Sequence, residues 1–357
     1  MNLKDIAIER LFSQHIENQR FKLPAELVSW LGAVQGQDYA GAKWSIGLRL
    51  NGIKDSDVEQ ALKNKTIVRT WALRGTLHFV AASDIHWLLA LISPRIISKN
   101  TRRYQELKLD KKTLSHSNKI LQNALNNDNQ LTRSELLKIL NQKGISTEGQ
   151  RGAYILQRAS LEGLICQGVT QLNDPSYMSL EEFPAPNKID HEAALAELAK
   201  RYFHSHGPGT LKDFIWWSGL FAKDARAGLD AIKSKLKKEV IDGVTYWMSS
   251  IKSNQLDSPK INLLPGFDEY LLSYKDRSAS INTEQIKRML TPTNGFFRST
   301  IIINGRVKGT WKRTIKRGKV IIDLNPFIPL NDDETEILAL EVHRFGEFLG
   351  MDVEEIR

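Results

Sequence analysis

Apolar residues in the early part of the chain recur at helical spacing and then at the spacing of a hairpin. Pro24, which favours the first turn of a helix, precedes an apolar face that is broken at Gly36. The later pattern predicts two short helices and two strands, over residues 40–50, 56–63, 67–73 and 76–80. Arg74 and Gly75 supply the turn between the strands. Short helices closed by a hairpin are the layout of a winged helix.

The same arrangement of helices closed by a hairpin is predicted twice more along the chain. Thr132 and Glu135 form a Thr-x-x-Glu capping box that begins the second copy. Gly207 ends the first helix of the third copy, and Asp242-Gly243 between β-forming residues is a strong hairpin signal. The remaining pattern predicts helices and wings over residues 149–161, 164–178, 191–204, 210–217, 225–236 and 240–247. We therefore predict helix-rich units in tandem, without obvious sequence identity between them.

The C-terminal part of the chain changes to a pattern of short strands. The turns Asn304-Gly305 and Arg317-Gly318 separate β-rich runs that predict a meander over residues 299–303, 306–314 and 319–323. A final helix is predicted over residues 333–348. The predicted fold class is therefore α+β, with tandem winged-helix units packed with a C-terminal β-rich region. The predicted units are a first winged helix, a basic helical connector, two further winged helices and the C-terminal region, at residues 1–96, 97–128, 129–187, 188–250 and 251–357.

Basic residues are unevenly distributed along the chain. Lys and Arg number 50 against 41 Asp and Glu, so the net charge of the 357 residues is +9. Residues 95–119 hold eight bases and two acids, residues 306–319 hold seven bases and no acid, and residues 332–357 hold nine acids. A polyanion is the default partner of such a chain, although a charge run is also typical of solvated surface.

Several common catalytic and binding motifs are missing from the sequence. It contains no phosphate-binding loop, dinucleotide-binding turn or nucleophile elbow, which disfavours ATP use, NAD use and that class of hydrolase. Cys166 is the one cysteine, and His204 and His206 have no carboxylate at ligand spacing, so we predict no metal and no cofactor. No apolar run is long enough for a membrane span, and the polar N-terminus is unlike a signal peptide. We therefore predict a cytoplasmic protein and expect a monomer.

Two amides and a carboxylate lie together where the first apolar helix pattern ends. If the backbone is extended at Gly36, the side chains of Gln35 and Gln37 point to one side. Two converging amides can hold a water molecule in place, although they supply no useful acid or base. The alternative is that these amides only cap a helix end and make the surface polar. Asp38 also has two interpretations, as an electrostatic or basic group and as the cap of the following helix.

Short motifs spread over nearly the whole chain resemble one family, the winged-helix DNA glycosylases of the AlkZ and YcaQ type. In family order, the matching segments are QGQDYA at 35–40, WSIGLR at 44–49, RTWALRGTLH at 69–78, GLICQG at 163–168, GPGT at 207–210, DFIWWSGL at 213–220, LPGFDEY at 264–270 and GTW at 309–311. The resemblance implies tandem winged helices packed around a β-barrel, with a channel that binds duplex DNA.

The same resemblance implies hydrolysis of the N-glycosidic bond of alkylated bases. Gln35 and Gln37 match the catalytic Gln-x-Gln motif of the AlkZ-like branch, whereas Gly36 stands where the family usually has an apolar side chain. A purine alkylated at N7 or N3 is already cationic and leaves readily, so an oriented water can suffice for its excision. The predicted substrates are therefore such purines in duplex DNA, including bulky or crosslinked adducts.

Phosphate contacts that do not depend on base sequence are predicted to provide the affinity for duplex DNA. The candidate residues lie on the first predicted wing, in the basic connector and in the basic meander: Arg69, Arg74, Arg102, Arg103, Arg306, Lys308, Lys312, Arg313, Lys316 and Arg317. His78, also on the first wing, is expected instead to join a buried network. Two alternatives to the enzyme remain: a non-catalytic winged-helix DNA-binding protein or regulator, and a protein–protein module.

Overall fold

The chain divides into two compact units. The larger unit comprises Met1–Val58 and Leu195–Arg357, and the smaller unit comprises Glu59–Ala194. The computed structural model describes residues 1–171, 174–183, 189–249, 258–289 and 298–356. Within these ranges, every helix is too short or too polar to cross a bilayer.

Helices and short strands alternate along the chain. The first elements are α1 (Leu3–Ser13), α2 (Pro24–Leu31), β1 (Val34–Gln35), α3 (Tyr39–Gly47), α4 (Asp55–Lys63), β2 (Ile67–Trp71), β3 (Leu77–Ala81), α5 (Ile85–Lys99), α6 (Thr101–Glu106), α7 (Lys111–Ala124), β4 (Leu131–Thr132), α8 (Arg133–Gln142), α9 (Arg151–Leu161), β5 (Ile165–Gln171) and β6 (Asp174–Ser179). The later elements are α10 (His191–Ser205), α11 (Leu211–Ser218), α12 (Ala222–Ile232), β7 (Lys237–Ile241), β8 (Val244–Met248), β9 (Ile261–Leu264), α13 (Glu269–Leu272), α14 (Thr283–Met289), β10 (Thr300–Ile303), β11 (Arg306–Lys316), β12 (Lys319–Pro326), α15 (Asp332–Leu349) and β13 (Val353–Ile356). The predicted α+β class is therefore confirmed, with the helices and hairpin of each predicted winged-helix copy present.

The smaller unit joins the first two predicted wings in one sheet. Within this unit the strand order is β3-β2-β5-β6-β4. The two hairpins meet where Arg69 of β2 pairs with Gln167 of β5. The Thr132–Glu135 capping box forms as predicted and begins α8.

Helices of the basic connector belong to the core of the smaller unit. The segment predicted as a connector contains α6 and α7, which bury Tyr104 and Leu121 while their charged residues face outward. Leu136 of α8 and Leu156 of α9 lie in the same buried cluster. The basic run is therefore the polar face of an amphipathic helical layer, and the apolar face of that layer is part of the core.

The third predicted hairpin forms in the larger unit through a tight turn. Asp242 and Gly243 between β7 and β8 have φ values of 49° and 75°. Positive φ at both central residues defines the type I′ turn, which suits the twist of two antiparallel strands. The helix predicted over 225–236 is too long, because α12 ends at Ile232 and a turn of 3-10 helix at Lys233–Lys235 leads into β7.

The C-terminal meander is confirmed and is part of a larger sheet. Its strand order is β13-β12-β11-β10-β9, and the sheet curls into a half-barrel. Two of its strands were not predicted: β9, a short run of four buried residues, and β13, which pairs in parallel with β12. Helix α15 packs Phe345 between Trp311 of β11 and Trp44 of α3, at centroid distances of 5.1 and 5.0 Å. These aromatic contacts attach α3, which follows the amide motif, to the sheet.

Candidate active site

The Gln35–Asp38 segment lies in an extended connection between α2 and α3. The predicted end of the first apolar helix at Gly36 is wrong, because α2 ends at Leu31 and is capped by Gly32. Gly32 adopts a φ of +80°, which an L side chain rarely reaches and which turns the chain out of the helix. The backbone then runs as strand β1 through Gln35. The two amides were expected to point to one side if the backbone is extended at Gly36. The strand itself reaches Gln35, one residue earlier.

The backbone of Gln35 is hydrogen-bonded to a buried carboxylate. Its N–H donates to Oε1 of Glu269 over 2.7 Å, and Glu269 is fully buried. The other carboxylate oxygen, Oε2, accepts from Nε1 of Trp217 at 3.1 Å and from Oγ of Ser273 at 2.5 Å. His206 is also fully buried, and its Nε2 lies 3.8 Å from Oε2. Burial lowers the pKa of His206, which favours the neutral ring beside this acid.

The neighbouring acid, Asp268, anchors helix α3 from the same side. Both guanidinium nitrogens Nη1 and Nη2 of Arg49 donate to its carboxylate, each over 2.8 Å, and neither side chain is exposed by more than 1%. Oγ of Ser45 in α3 donates to the same carboxylate at 2.6 Å. Two consecutive acids therefore fix the two elements that flank the amide motif, with Glu269 on β1 and Asp268 on α3.

Sequence reasoning gave no role to Arg49, Asp268 or Glu269. All three lie in segments that carried the family resemblance, at 44–49 and 264–270. The available signal was two adjacent acids in a largely apolar stretch, since a buried charge needs a partner. The partners lie more than 200 positions away in the chain, which only the fold brings together.

Gln37 and Asp38 lie at the surface, unlike Gln35. Gln35 has 9% of its surface exposed, whereas Gln37 and Asp38 are both exposed. Oδ1 of Asp38 accepts from the N–H of Gly41 at 3.1 Å and so caps α3. A Cβ on residue 41 would lie 2.5 Å from Oδ2 of Asp38, so a larger residue there would displace the carboxylate from its present position. Of the two interpretations of Asp38, the helix cap is therefore the one that its hydrogen bond supports.

A charged pocket of about 470 Å³ opens beside Asp38. Its walls are the loop Pro265-Gly266-Phe267, the β11 segment around Trp311, and the charged residues Arg298, Lys312, Arg313 and Asp323. Arg298 and Lys312 are exposed, and Arg313 is half-buried with its guanidinium 5.9 Å from the Phe345 ring centroid. Within the described parts of the chain, none of these three cations is ion-paired. The pocket therefore offers unpaired positive charge next to the amide motif.

The predicted DNA-binding residues occupy different environments. On the β11–β12 hairpin, Lys316 and Arg317 are exposed at the turn, and Arg306 and Lys308 are half-buried. Arg102 and Arg103 of α6 are ion-paired with Glu106 at 3.0 and 2.7 Å, and Arg102 is exposed whereas Arg103 is half-buried. Arg74 is half-buried in the turn between β2 and β3, with a φ of +60°.

Arg69 does not belong with the exposed cations. It is buried, and its Nη1 donates to Oε1 of Gln167 at 2.8 Å, while Gln167 donates to the Tyr177 hydroxyl. We therefore no longer expect Arg69 to contact phosphate, because its guanidinium is hydrogen-bonded within the sheet of the smaller unit. His78 is fully buried, as expected, with Nδ1 2.9 Å from the carbonyl oxygen of Thr76.

The other candidate reactive residues, two histidines and the cysteine, are packed against neighbouring parts of the protein. His204 packs against Trp30 at a centroid distance of 6.3 Å, whereas His206 lies inside the Glu269 cluster. Cys166 is buried, and burial raises the pKa of its thiol. Among the described residues, no three side chains of the types that bind metals are grouped as ligands.

The order of helices, hairpins and C-terminal sheet is the fold of a winged-helix DNA glycosylase. Residues 28–348 match the family model described as DNA glycosylase AlkZ-like. The chain belongs to the AlkZ-like DNA glycosylase family, and the predicted enzyme class, DNA N-glycosylase, is confirmed at that level.

A curated protein and a solved structure, both from Streptomyces sahachiroi, are similar to this chain. The curated protein named "Interstrand DNA cross-link repair glycosylase" is 22% identical over 328 residues, which cover 85% of this chain and 85% of that protein. The solved structure of DNA glycosylase AlkZ superposes with a TM-score of 0.81 at 19% identity, covering 100% of this chain and 99% of the other. At that identity the structural likeness shows the shared fold.

Proposed function

We propose that this DNA glycosylase excises purines alkylated at N7 or N3 from duplex DNA, with bulky and crosslinked adducts among its substrates. The observation that carries the proposal is the Gln-x-Gln segment whose first amide residue is held on buried Glu269 and whose second is open to solvent. The name of the relative from S. sahachiroi, a cross-link repair glycosylase, supports the inclusion of bulky and crosslinked adducts.

The proposed reaction needs a positioned water more than a strong acid or base. The C1′–N bond breaks with its electron pair going to the purine, which becomes neutral because it was cationic. The oxygen of a water molecule bonds to C1′, and the water releases one proton to solvent. The developing sugar cation and the water orientation are then the parts of the barrier that a protein can lower.

The side chains of Gln35 and Gln37 are proposed to orient this water. A Gln amide has one oxygen that accepts hydrogen bonds and an NH₂ group that donates two. Neither group titrates in the physiological range, so the pair itself imposes no steep pH dependence on the rate. Asp38 contributes by capping α3 in this account, and its second oxygen adds negative charge at the edge of the site.

Positive charge beside the amide motif is proposed to hold the DNA backbone. Lys312 and Arg313 of the pocket were expected to contact phosphate, and Arg298 joins them because it lines the same pocket without an ion pair in the described chain. Lys316 and Arg317 at the hairpin turn extend the basic surface. Such contacts give affinity that does not depend on base sequence and that weakens with salt.

The direct test is incubation of the wild-type protein with duplex DNA that contains N7-methylguanine. Release of the base leaves an abasic site, which alkaline cleavage of the labelled strand detects. We expect cleavage at the lesion and none in undamaged DNA of the same sequence. Salt-sensitive DNA binding without any cleavage would favour the alternative, a non-catalytic DNA-binding protein. Absence of both would favour a protein–protein module.

A further inference from the structure

We propose that Glu269 is a positioning residue that sets the place of the Gln35 amide for excision. The inference rests on the proposed function, because it concerns how that reaction is organised. It starts from an unusual contact: a fully buried carboxylate accepts the single backbone N–H of Gln35, at the end of strand β1.

The carboxylate itself cannot turn freely, because its far oxygen is held. Oε2 of Glu269 accepts from Trp217 in α11 and from Ser273 just after α13. Trp217 is fully buried and packs on Tyr202 at a centroid distance of 5.1 Å. The Glu269 side chain therefore links the backbone of Gln35 to the packing of α11.

The amide motif is fastened at both ends by acids. Glu269 fixes the backbone at Gln35, and Asp38 fixes the start of α3 through the N–H of Gly41. Gly36 and Gln37 lie between these two attachments. A displacement of about 1 Å at a reacting group can cost on the order of 10²-fold in rate, so both attachments matter to a water-orienting pair.

A carboxylate fits this role better than an amide. Each of its two oxygens accepts from a different donor, Oε1 from Gln35 and Oε2 from Trp217. The amide of a Gln at this position has one accepting oxygen, and its NH₂ group would face a donor N–H. Glu269→Gln therefore keeps the size of the side chain and breaks one of these two hydrogen bonds.

The test is a double-mutant cycle on the single-turnover rate with N7-methylguanine DNA at saturating protein. We expect Glu269→Gln to lower the rate about 10- to 100-fold with little change in DNA affinity. In the Gln35→Ala background, the same substitution should lower the remaining rate much less, because the side chain that Glu269 positions is already gone. An equal fall in both backgrounds would overturn the inference and leave the proposed function standing.

A matched control separates positioning from general damage to the fold. Glu341→Gln makes the same change at another largely buried carboxylate of the larger unit, which is bonded to Arg344 instead. We expect this control to keep the wild-type rate. If Glu269→Gln fails to fold, Trp217→Phe removes one hydrogen bond from Oε2 and should give a smaller fall that again depends on Gln35.

Hydrogen exchange gives a readout that does not depend on activity. The backbone N–H of Gln35 should exchange faster in Glu269→Gln than in the wild type and at the wild-type rate in Glu341→Gln. Unchanged exchange at Gln35 would contradict the inference directly. If exchange is faster in Glu269→Gln but the wild-type protein excises no alkylated purine, the proposed function is wrong. The contact then has no role in excision, and the inference falls with the function.

Discussion

Two regions of the larger unit use charged residues for different purposes. Around α13, Asp268 and Glu269 are fully enclosed, and their oxygens face Arg49, Ser45, Trp217 and the backbone of Gln35. On the β11–β12 hairpin, Lys316 and Arg317 project into water. The enclosed charges fix geometry, whereas the open charges remain available to a ligand.

The physical difference between the regions is the dielectric environment. A charge pair in the interior has lost its hydration and depends on its partner, so removing one partner leaves an uncompensated charge. An exposed cation keeps its hydration and loses little when it stands alone. Substitutions in the first region should therefore change stability and rate, and substitutions in the second should change DNA affinity.

The largest effect is expected at the buried ion pair of Arg49 and Asp268. Arg49→Met leaves the Asp268 carboxylate without its bidentate partner, so we expect a loss of about 3–5 kcal/mol in the free energy of unfolding. Chemical denaturation measures this loss. Lys233→Met is the matched control, because Lys233 pairs with Asp230 at 2.8 Å on the surface and should contribute less than about 1 kcal/mol. Equal losses in both variants would contradict the contrast between the two regions.

A further buried acid should make stability depend on pH. Burial raises the pKa of Glu17 from 4.5 to about 7, and Nδ2 of Asn262 donates to its carboxyl at 2.9 Å. The folded protein therefore keeps a proton that the unfolded chain has lost, and stability falls as pH rises from about 4.5 to about 7. Glu17→Gln should remove a fall on the order of 3 kcal/mol, measured by denaturation at several pH values. An identical pH profile in the variant would show that Glu17 titrates normally.

Charge reversal on the hairpin should reduce affinity and spare the fold. Arg313→Glu combined with Lys316→Glu should weaken duplex binding, and the log–log salt slope should become shallower by about 0.9 for each phosphate that is no longer neutralised. Lys233→Glu with Lys235→Glu changes net charge equally at residues outside the predicted contacts. If the hairpin variant keeps its affinity and loses thermal stability, the hairpin is structural and the assignment of these residues is wrong.

The smallest effect is expected at Asp38. Asparagine caps a helix about as well as aspartate, so Asp38→Asn should change stability by less than about 0.5 kcal/mol and leave excision within a few-fold of the wild type. Thermal unfolding and the single-turnover rate measure the two quantities. Loss of excision in Asp38→Asn, with both glutamine variants still active, would show that the carboxylate holds the water.

Local patterns in the sequence predicted most elements, because their signals lie within a few residues of each other. The capping box at Thr132 and the Asp242-Gly243 turn were both recognised in this way. Strand β9 was missed because its residues are all buried and show no alternation, and β13 because its partner is distant in the chain. The amide motif could be identified, but the acids that hold it could not, since they approach it only through tertiary packing.

The central claim is that Gln35 and Gln37 orient the water that excises an alkylated purine. The most direct measurement is the single-turnover release of N7-methylguanine by Gln35→Ala and Gln37→Ala, with protein in saturating excess and DNA affinity measured in parallel. Gln142→Ala, at an exposed amide of α8, serves as the matched control. We expect each active-site variant to lose on the order of 10²-fold in rate while its affinity stays at the wild-type value. Wild-type rates in both variants, or a loss explained by weaker binding, would contradict the account.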